Sequence, residues 1–231
     1  MPRRPRQHLI FDADDTLWEN NVVFEGVIAD FIAWLDHPGM TAAEVRAVMD
    51  GIEREHAAEY GYGTKVFELT LEAMVRRLHD GRLTPADEEQ IATLMARLRW
   101  DRLDIIDGVP ETLADLRRRH DLLLLTKGDQ EEQMRKIERS GLVELFRRAL
   151  VTPEKTEATY RGVVADERLD PARTWMIGNS PKSDILPAVA AGLRAVFIAH
   201  PHTWHLEVVA LPDDDTRILR VDTFRDLVEL F

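Results

Sequence analysis

The sequence predicts an α/β fold, a parallel sheet with helices on both faces, interrupted after its first strand by an all-helical insert. Short apolar runs at His8–Phe11, Leu122–Leu125, Ala149–Val151, Thr174–Ile177 and Arg194–Ile198 alternate with stretches of helical period. That alternation implies parallel strands covered on both sides. Residues 20 to 100 instead carry helical spacing without a strand pattern among them. The chain has 231 residues, 45% hydrophobic and 31% charged, a length that suits one large domain or a core with an inserted smaller one.

The first strand, His8-Leu9-Ile10-Phe11, is too short for a helix and stops in a run of carboxylates, Asp12-Ala13-Asp14-Asp15. Leu17 to Asn21 then reads as a polar connection with one aromatic. Val23, Val27, Phe31 and Trp34 or Leu35 recur at helical spacing until Pro38-Gly39 ends that helix. Thr41 followed by Glu44 is a capping-box signature that opens a second helix to about Glu59. Tyr60-Gly61-Tyr62-Gly63 breaks it, and a third helix presents Phe67, Leu71, Met74, Val75 and Leu78 on one face. Thr84-Pro85 starts a fourth, with Thr84 as N-cap and Pro85 in the first helical position.

Past Asp107-Gly108-Val109-Pro110 the pattern changes. A short helix through Leu113 and Leu116 leads to the run Leu122–Leu125, which stops at Thr126. A helix from about Gln130 to Ser140 ends at Gly141, a natural left-handed terminus. Ala149–Val151 follows, and Thr152-Pro153 is expected to cap the next helix, placing Lys155 in its first turn. Thr174–Ile177 stops at Gly178, and Arg194–Ile198 is the last apolar run. Asp213-Asp214-Asp215 reads as a solvated turn, and Thr223 caps a closing amphipathic helix to Phe231.

A net charge of −12 argues against a general nucleic-acid or membrane-surface binder. An acidic protein that handles anions needs local positive charge, from a metal or a few placed basic residues. The absence of cysteine excludes disulfides, thiolate catalysis and thiolate-bound zinc. No apolar run approaches the ~20 residues that span a bilayer. Met1–Gln7 is basic with no apolar region behind it, which is not the pattern of a secretory signal, and it reads as a frayed tail rather than a nucleic-acid arm. A cytoplasmic protein, monomeric or homodimeric, is expected.

In an open α/β sheet, ligands bind beyond the carboxyl ends of the strands. The residue that follows each apolar run is therefore informative. The first run supplies Asp12 and Asp14, two apart, so both can turn toward one small volume. The second supplies Thr126 and Lys127, Lys155 follows the third, and the fourth leads into Gly178-Asn179-Ser180-Pro181-Lys182-Ser183-Asp184. Carboxylates, a hydroxyl, an ammonium and a further carboxylate at one rim suit a phosphate and a divalent cation. One carboxylate can also attack while its neighbour shuttles a proton.

Asp12-Ala13-Asp14-Asp15-Thr16 resembles motif I, Asp-x-Asp-x-Thr, of the haloacid dehalogenase-like (HAD) phosphohydrolases, and the residues that resemble the other three motifs follow in order. The resemblance implies a Rossmann-like core in residues 1–19 and 101–231 and a helical cap in residues 20–100. Asp12 matches the nucleophile and Asp14 the general acid/base; Thr16 matches the residue that braces the motif. Thr126 matches the hydroxyl that binds the transferring phosphoryl group. Lys155 matches the lysine that screens charge between nucleophile and phosphate. Asp184 matches a metal-binding acid, and Asn179 stands where many relatives have Asp, which lowers the charge of the cation site. Mg²⁺ on Asp12, Asp184 and the main-chain carbonyl of Asp14 is implied, because all these ligands are oxygens. At that position Asn179 can still ligate the metal weakly or orient a bound water.

The implied reaction is Mg²⁺-dependent hydrolysis of a small phosphorylated metabolite through an aspartyl-phosphate, with Thr126, Lys127 and Lys155 on the phosphate. Within the insert, Tyr62 and Lys65 in Tyr60-Gly61-Tyr62-Gly63-Thr64-Lys65 are the candidate substrate contacts, against an ordinary helix–helix turn. Lys65 is the insert's only lysine. His56 and His79 read as solvent-facing; His200, His202 and His205, whose spacing fits no familiar metal site, read as a structured loop. A dehalogenase of the same fold is the runner-up, disfavoured because its second motif position is usually not Asp. A phosphomutase and a non-catalytic phospho-accepting protein are further alternatives.

Overall fold

The computed structural model describes residues 5–99 and 102–231, and it divides the chain into two units: Met1–Asn21 with Arg102–Phe231, and Val22–Asp101. The junction expected between residues 100 and 101 lies outside the described residues, as do the first four residues of the basic tail. Arg6, in that tail, is held by Asp121 at 2.7 Å.

The larger unit is built on β1 (His8–Phe11), flanked by β2 (Asp121–Lys127) and β4 (Thr174–Gly178). With β3 (Arg148–Thr152), β5 (Arg194–Ile198) and β6 (Ile218–Val221), the order is β3-β2-β1-β4-β5-β6, all parallel. Alternation of side chains across a strand sorts the apolar runs into two cores. Leu9, Phe11, Leu122, Leu124, Trp175 and Ile177 pack on one face with Leu113 and Leu116 of α5 (Val109–Arg117) and Ile137 of α6 (Gln130–Arg139). Leu227 of α9 (Leu227–Leu230) closes that side. Ile10, Leu123, Leu125 and Met176 pack on the other with Tyr160 of α7 (Glu157–Asp166) and Ala188 of α8 (Leu186–Ala190). Each such residue contributes about 1.5–3 kcal/mol of burial. A sheet buried on both faces is what the continuous Leu122–Leu125 run requires.

The helical unit contains α1 (Asn21–Leu35, its first residue in the larger unit), α2 (Ala42–Tyr60), α3 (Thr64–Leu78) and α4 (Pro85–Met95). The expected capping box is formed: Thr41 N donates to Glu44 Oε2 at 2.7 Å, and Glu44 N to Thr41 Oγ1 at 3.3 Å. Thr84 and Asp87 repeat it at the start of α4. Phe31, Met49, Phe67, Leu71, Met74 and Ile91 are buried inside this unit.

Four sequence expectations are corrected. The sheet has a sixth strand, Ile218–Val221, missed because a four-residue edge strand interrupted by Arg220 has no continuous apolar run. Thr152 ends β3 rather than capping a helix; α7 is capped by Thr156, so Lys155 sits in the connection before it. Leu17 and Trp18, read as part of a polar connection, are fully buried, and the Trp18 indole reaches the acidic strand end. The tail reading for Met1–Gln7 fails at Arg6, which is paired, and at Gln7, whose N–H donates to His120 Nδ1 at 3.2 Å.

Candidate active site

The rim of the sheet begins where β1 ends. Asp12 N still donates to Ile177 O at 2.9 Å, so the strand pairing carries Asp12 into place beside β4. The chain then turns sharply through Asp15, whose φ of 60° is left-handed. Asp15 Oδ1 accepts the N–H groups of Asn20 and Asn21, both at 2.9 Å, which closes the loop on itself. Burial pushes the Asp15 carboxyl up to about 7 despite those two donors.

Asp12 and Asp184 converge on one ammonium. Lys155 Nζ lies 2.5 Å from Asp12 Oδ1 and 2.7 Å from Asp184 Oδ1, and all three side chains are buried. Burial works against the lysine's charge, but the two carboxylates outweigh it and raise its pKa. Burial, and then the charge of Asp12, push the Asp184 carboxyl upward. Gly178 makes the approach feasible: a Cβ there would stand 2.2 Å from Asp184 Oδ2 and 3.0 Å from Asp12 Cβ. Asp184 Oδ2 is fixed by the N–H of Ser180 at 3.0 Å, and Tyr160 donates to Ser183 O at 2.9 Å beneath the same turn. Two buried carboxylates against one ammonium leave a negative excess, and the donors are hard oxygens. A small divalent cation suits that set.

Asp14 has different partners. Its Oδ1 accepts from Trp18 Nε1 at 2.7 Å and lies 2.5 Å from Lys136 Nζ; its Oδ2 accepts from Gln133 Nε2 at 2.9 Å. Gln133 Oε1 in turn accepts from Thr126 Oγ1 at 3.1 Å. Thr16 Oγ1 lies 3.0 Å from Asp12 Oδ2 and 3.2 Å from Asn179 Oδ1, and accepts the N–H of Asn179 at 3.2 Å. Asn179 Nδ2 donates to Thr203 Oγ1 at 3.2 Å, so its side chain joins the motif I threonine to the loop after β5.

Lys127 points along the rim to Ser183 Oγ at 2.9 Å and Glu207 at 2.6 Å. Glu207 also accepts from Ser180 Oγ at 2.5 Å. Burial opposes its charge, but Lys127 and the serine hydroxyls win and hold its carboxyl below the usual range. Sequence reasoning missed Gln133, Lys136 and Glu207. The first two sit in a helix of almost wholly polar sequence that reads as a solvent face, and the third is remote from every motif. His200 packs against the acidic loop, 3.9 Å from Asp15 and 3.3 Å from Glu19, while its Nδ1 accepts the N–H of His202 at 3.3 Å. Tyr62 and Lys65 belong to the helical unit, Tyr62 half-buried before α3 and Lys65 exposed in its first turn.

Residues 7–192 match the family model of the haloacid dehalogenase-like hydrolases. The chain belongs to that family. Among curated proteins, this HAD-like hydrolase is similar to the N-acylneuraminate-9-phosphatase of Homo sapiens, 23% identical over 197 residues, covering 81% of this chain and 79% of the relative. Among solved structures, it is similar to a haloacid dehalogenase-like family hydrolase from Xanthomonas campestris, at 30% identity and TM-score 0.80. That match covers 98% of this chain and 96% of the other. It shares its fold with the HAD-hydrolase YfnB of Bacillus subtilis, solved bound to magnesium, at 18% identity and TM-score 0.69, with 98% and 99% covered. Among its described residues, no helix is long and apolar enough to cross a membrane.

Proposed function

We propose that the protein is a Mg²⁺-dependent phosphohydrolase that acts on a small phosphorylated metabolite through an aspartyl-phosphate on Asp12. The observation that carries the reading is the division of labour at the rim: Asp12 shares Lys155 with Asp184, whereas Asp14 is held by a separate set, Trp18, Gln133 and Lys136. A halide leaving carbon departs as an anion and needs no proton. Ester oxygen leaving phosphorus needs a proton, and Asp14 is the group to give it.

Asp12, Asp184 and the main-chain carbonyl of Asp14 would hold Mg²⁺, whose charge offsets the repulsion between Asp12 and a phosphate dianion. Thr126, Lys127 and Lys155 would orient the phosphoryl oxygens, with Asn179 holding Thr16 and the first motif in place. An Asp12 oxygen bonds to phosphorus as the ester bond breaks, and Asp14 passes its proton to the departing oxygen. Asp14, now ionised, takes a proton from water as that water's oxygen bonds to phosphorus and the Asp12 oxygen leaves. Inorganic phosphate and the free alcohol result. The name of the human relative, a phosphatase, supports the substrate class.

Purified protein with Mg²⁺ should release inorganic phosphate from p-nitrophenyl phosphate and, faster, from one member of a panel of phosphorylated metabolites. Halide release from a 2-haloacid with no phosphate release would replace this reading with the dehalogenase one.

A further inference from the structure

α6 begins directly after the β2 rim and carries two buried polar side chains one turn apart, Gln133 and Lys136. Residues three apart share a helix face, and this face looks at Asp14. Gln133 is 4% exposed and lies against Gly128, where a Cβ would come within 3.3 Å of its amide nitrogen. Its amide is used at both ends, accepting from Thr126 Oγ1 at 3.1 Å and donating to Asp14 Oδ2 at 2.9 Å. Lys136 is 1% exposed; its Nζ reaches Asp14 Oδ1 at 2.5 Å and Asn20 Oδ1 at 2.8 Å. Burying an amide and an ammonium costs free energy that a leucine and a methionine would not. Both side chains bond the Asp14 carboxyl, one on each of its oxygens.

We propose that Gln133 and Lys136 are positioning residues for Asp14, and that Gln133 couples the orientation of Asp14 to that of Thr126. Held by Gln133 on one oxygen and by Lys136 and Trp18 on the other, the Asp14 carboxyl cannot rotate about its χ2 without losing donors. The single Gln133 side chain therefore sets the geometry between the proton-transfer group and the phosphate-binding hydroxyl. Both would act through Asp14 rather than on the substrate itself. The inference rests on Asp14 being the proton-transfer group.

The test compares kcat/KM for two phosphate esters, because that ratio reports steps only through departure of the first product. p-Nitrophenolate leaves without a proton; an alkoxide does not. Gln133→Ala and Lys136→Met should each lower kcat/KM for a simple alkyl phosphate by about tenfold or more beyond their effect on p-nitrophenyl phosphate, within the range of general acid catalysis. Gln133→Glu keeps the acceptor for Thr126 but faces Asp14 with an oxygen, and should be worse than Gln133→Ala. Equal losses on the two esters, or none, in folded Gln133→Ala and Lys136→Met would overturn the proposal; if one variant does not fold, the other decides. Asp14→Asn is the control. If it too lacks dependence on the leaving group, the assignment of Asp14 has failed. If it shows the dependence and the α6 variants do not, only the positioning role has failed.

Discussion

The α/β unit and the helical unit bury different chemistry. Among the described residues, the α/β unit buries Asp12, Asp15, Glu132, Lys136, Lys155, Asp184 and Glu207, whereas the helical unit buries one polar side chain, Thr70, which is bonded to its own helix at Val66 O. The charges of the helical unit pair on its surface or half-buried, as with Arg46, Glu25 and Asp50. Buried charge is costly unless it is paired and hydrogen-bonded, as these groups are. The contrast agrees with the proposed reaction, whose chemistry would reside in the α/β unit, while the helical unit is assembled by apolar packing and capped turns.

The largest expected effect tests that contrast at its centre. Asp12→Asn keeps the shape of the side chain but removes its charge, so phosphate release should fall by roughly a thousandfold or more while the fold survives. Near-wild-type turnover by the folded variant would remove Asp12 from the chemistry.

Next is the cation. EDTA should abolish activity and Mg²⁺ restore it. Asp184→Ala should weaken Mg²⁺ binding, read by titration calorimetry, by about tenfold or more, whereas Asn179→Ala, whose amide is engaged with Thr16 and Thr203, should weaken it far less. Equal losses would give Asn179 the standing of a full ligand.

How much of this was legible follows from the same contrast. Carboxylates at the end of an apolar strand conflict with burial, so Asp12 and Asp14 stand out in the sequence. Lys155 and Asp184 were found by their order behind other apolar runs. Gln133 and Lys136 were not, because Gln130–Arg139 contains only Met134 and Ile137 as apolar residues and gives no sign that its polar side chains are buried. Glu207 lies in a short turn after β5, and only the folded chain brings it to Lys127. The sixth strand was hidden by its own edge chemistry. In the helical unit, period and caps located α1 to α4, while the role proposed for Tyr62 and Lys65 rests on glycine neighbours and charge alone.

That role is the smaller functional effect. Tyr62→Ala or Lys65→Ala should lower kcat/KM for the true substrate by roughly tenfold, about 1.4 kcal/mol, and change p-nitrophenyl phosphate turnover much less. Equal losses on the two substrates would make the loop structural.

The smallest effect concerns stability. Glu207 has a folded pKa below its unfolded one, so its pairing with Lys127 stabilises the fold above the unfolded carboxylate range. That contribution is lost as pH falls through the folded value. Glu207→Gln should therefore lower the melting temperature at pH 7, and the gap to wild type should narrow in acid. A gap that widens in acid would contradict the ion pair as its cause.

The most direct measurement is chemical trapping during turnover. Borohydride reduces an acyl phosphate to an alcohol, so quenching the enzyme with it while p-nitrophenyl phosphate is being consumed should convert Asp12 to homoserine. Peptide mass spectrometry should find that conversion at position 12 and at no other carboxylate, and not without substrate. Conversion at Asp14 or Asp184 instead, or sustained phosphate release with position 12 unchanged, would contradict nucleophilic attack by Asp12.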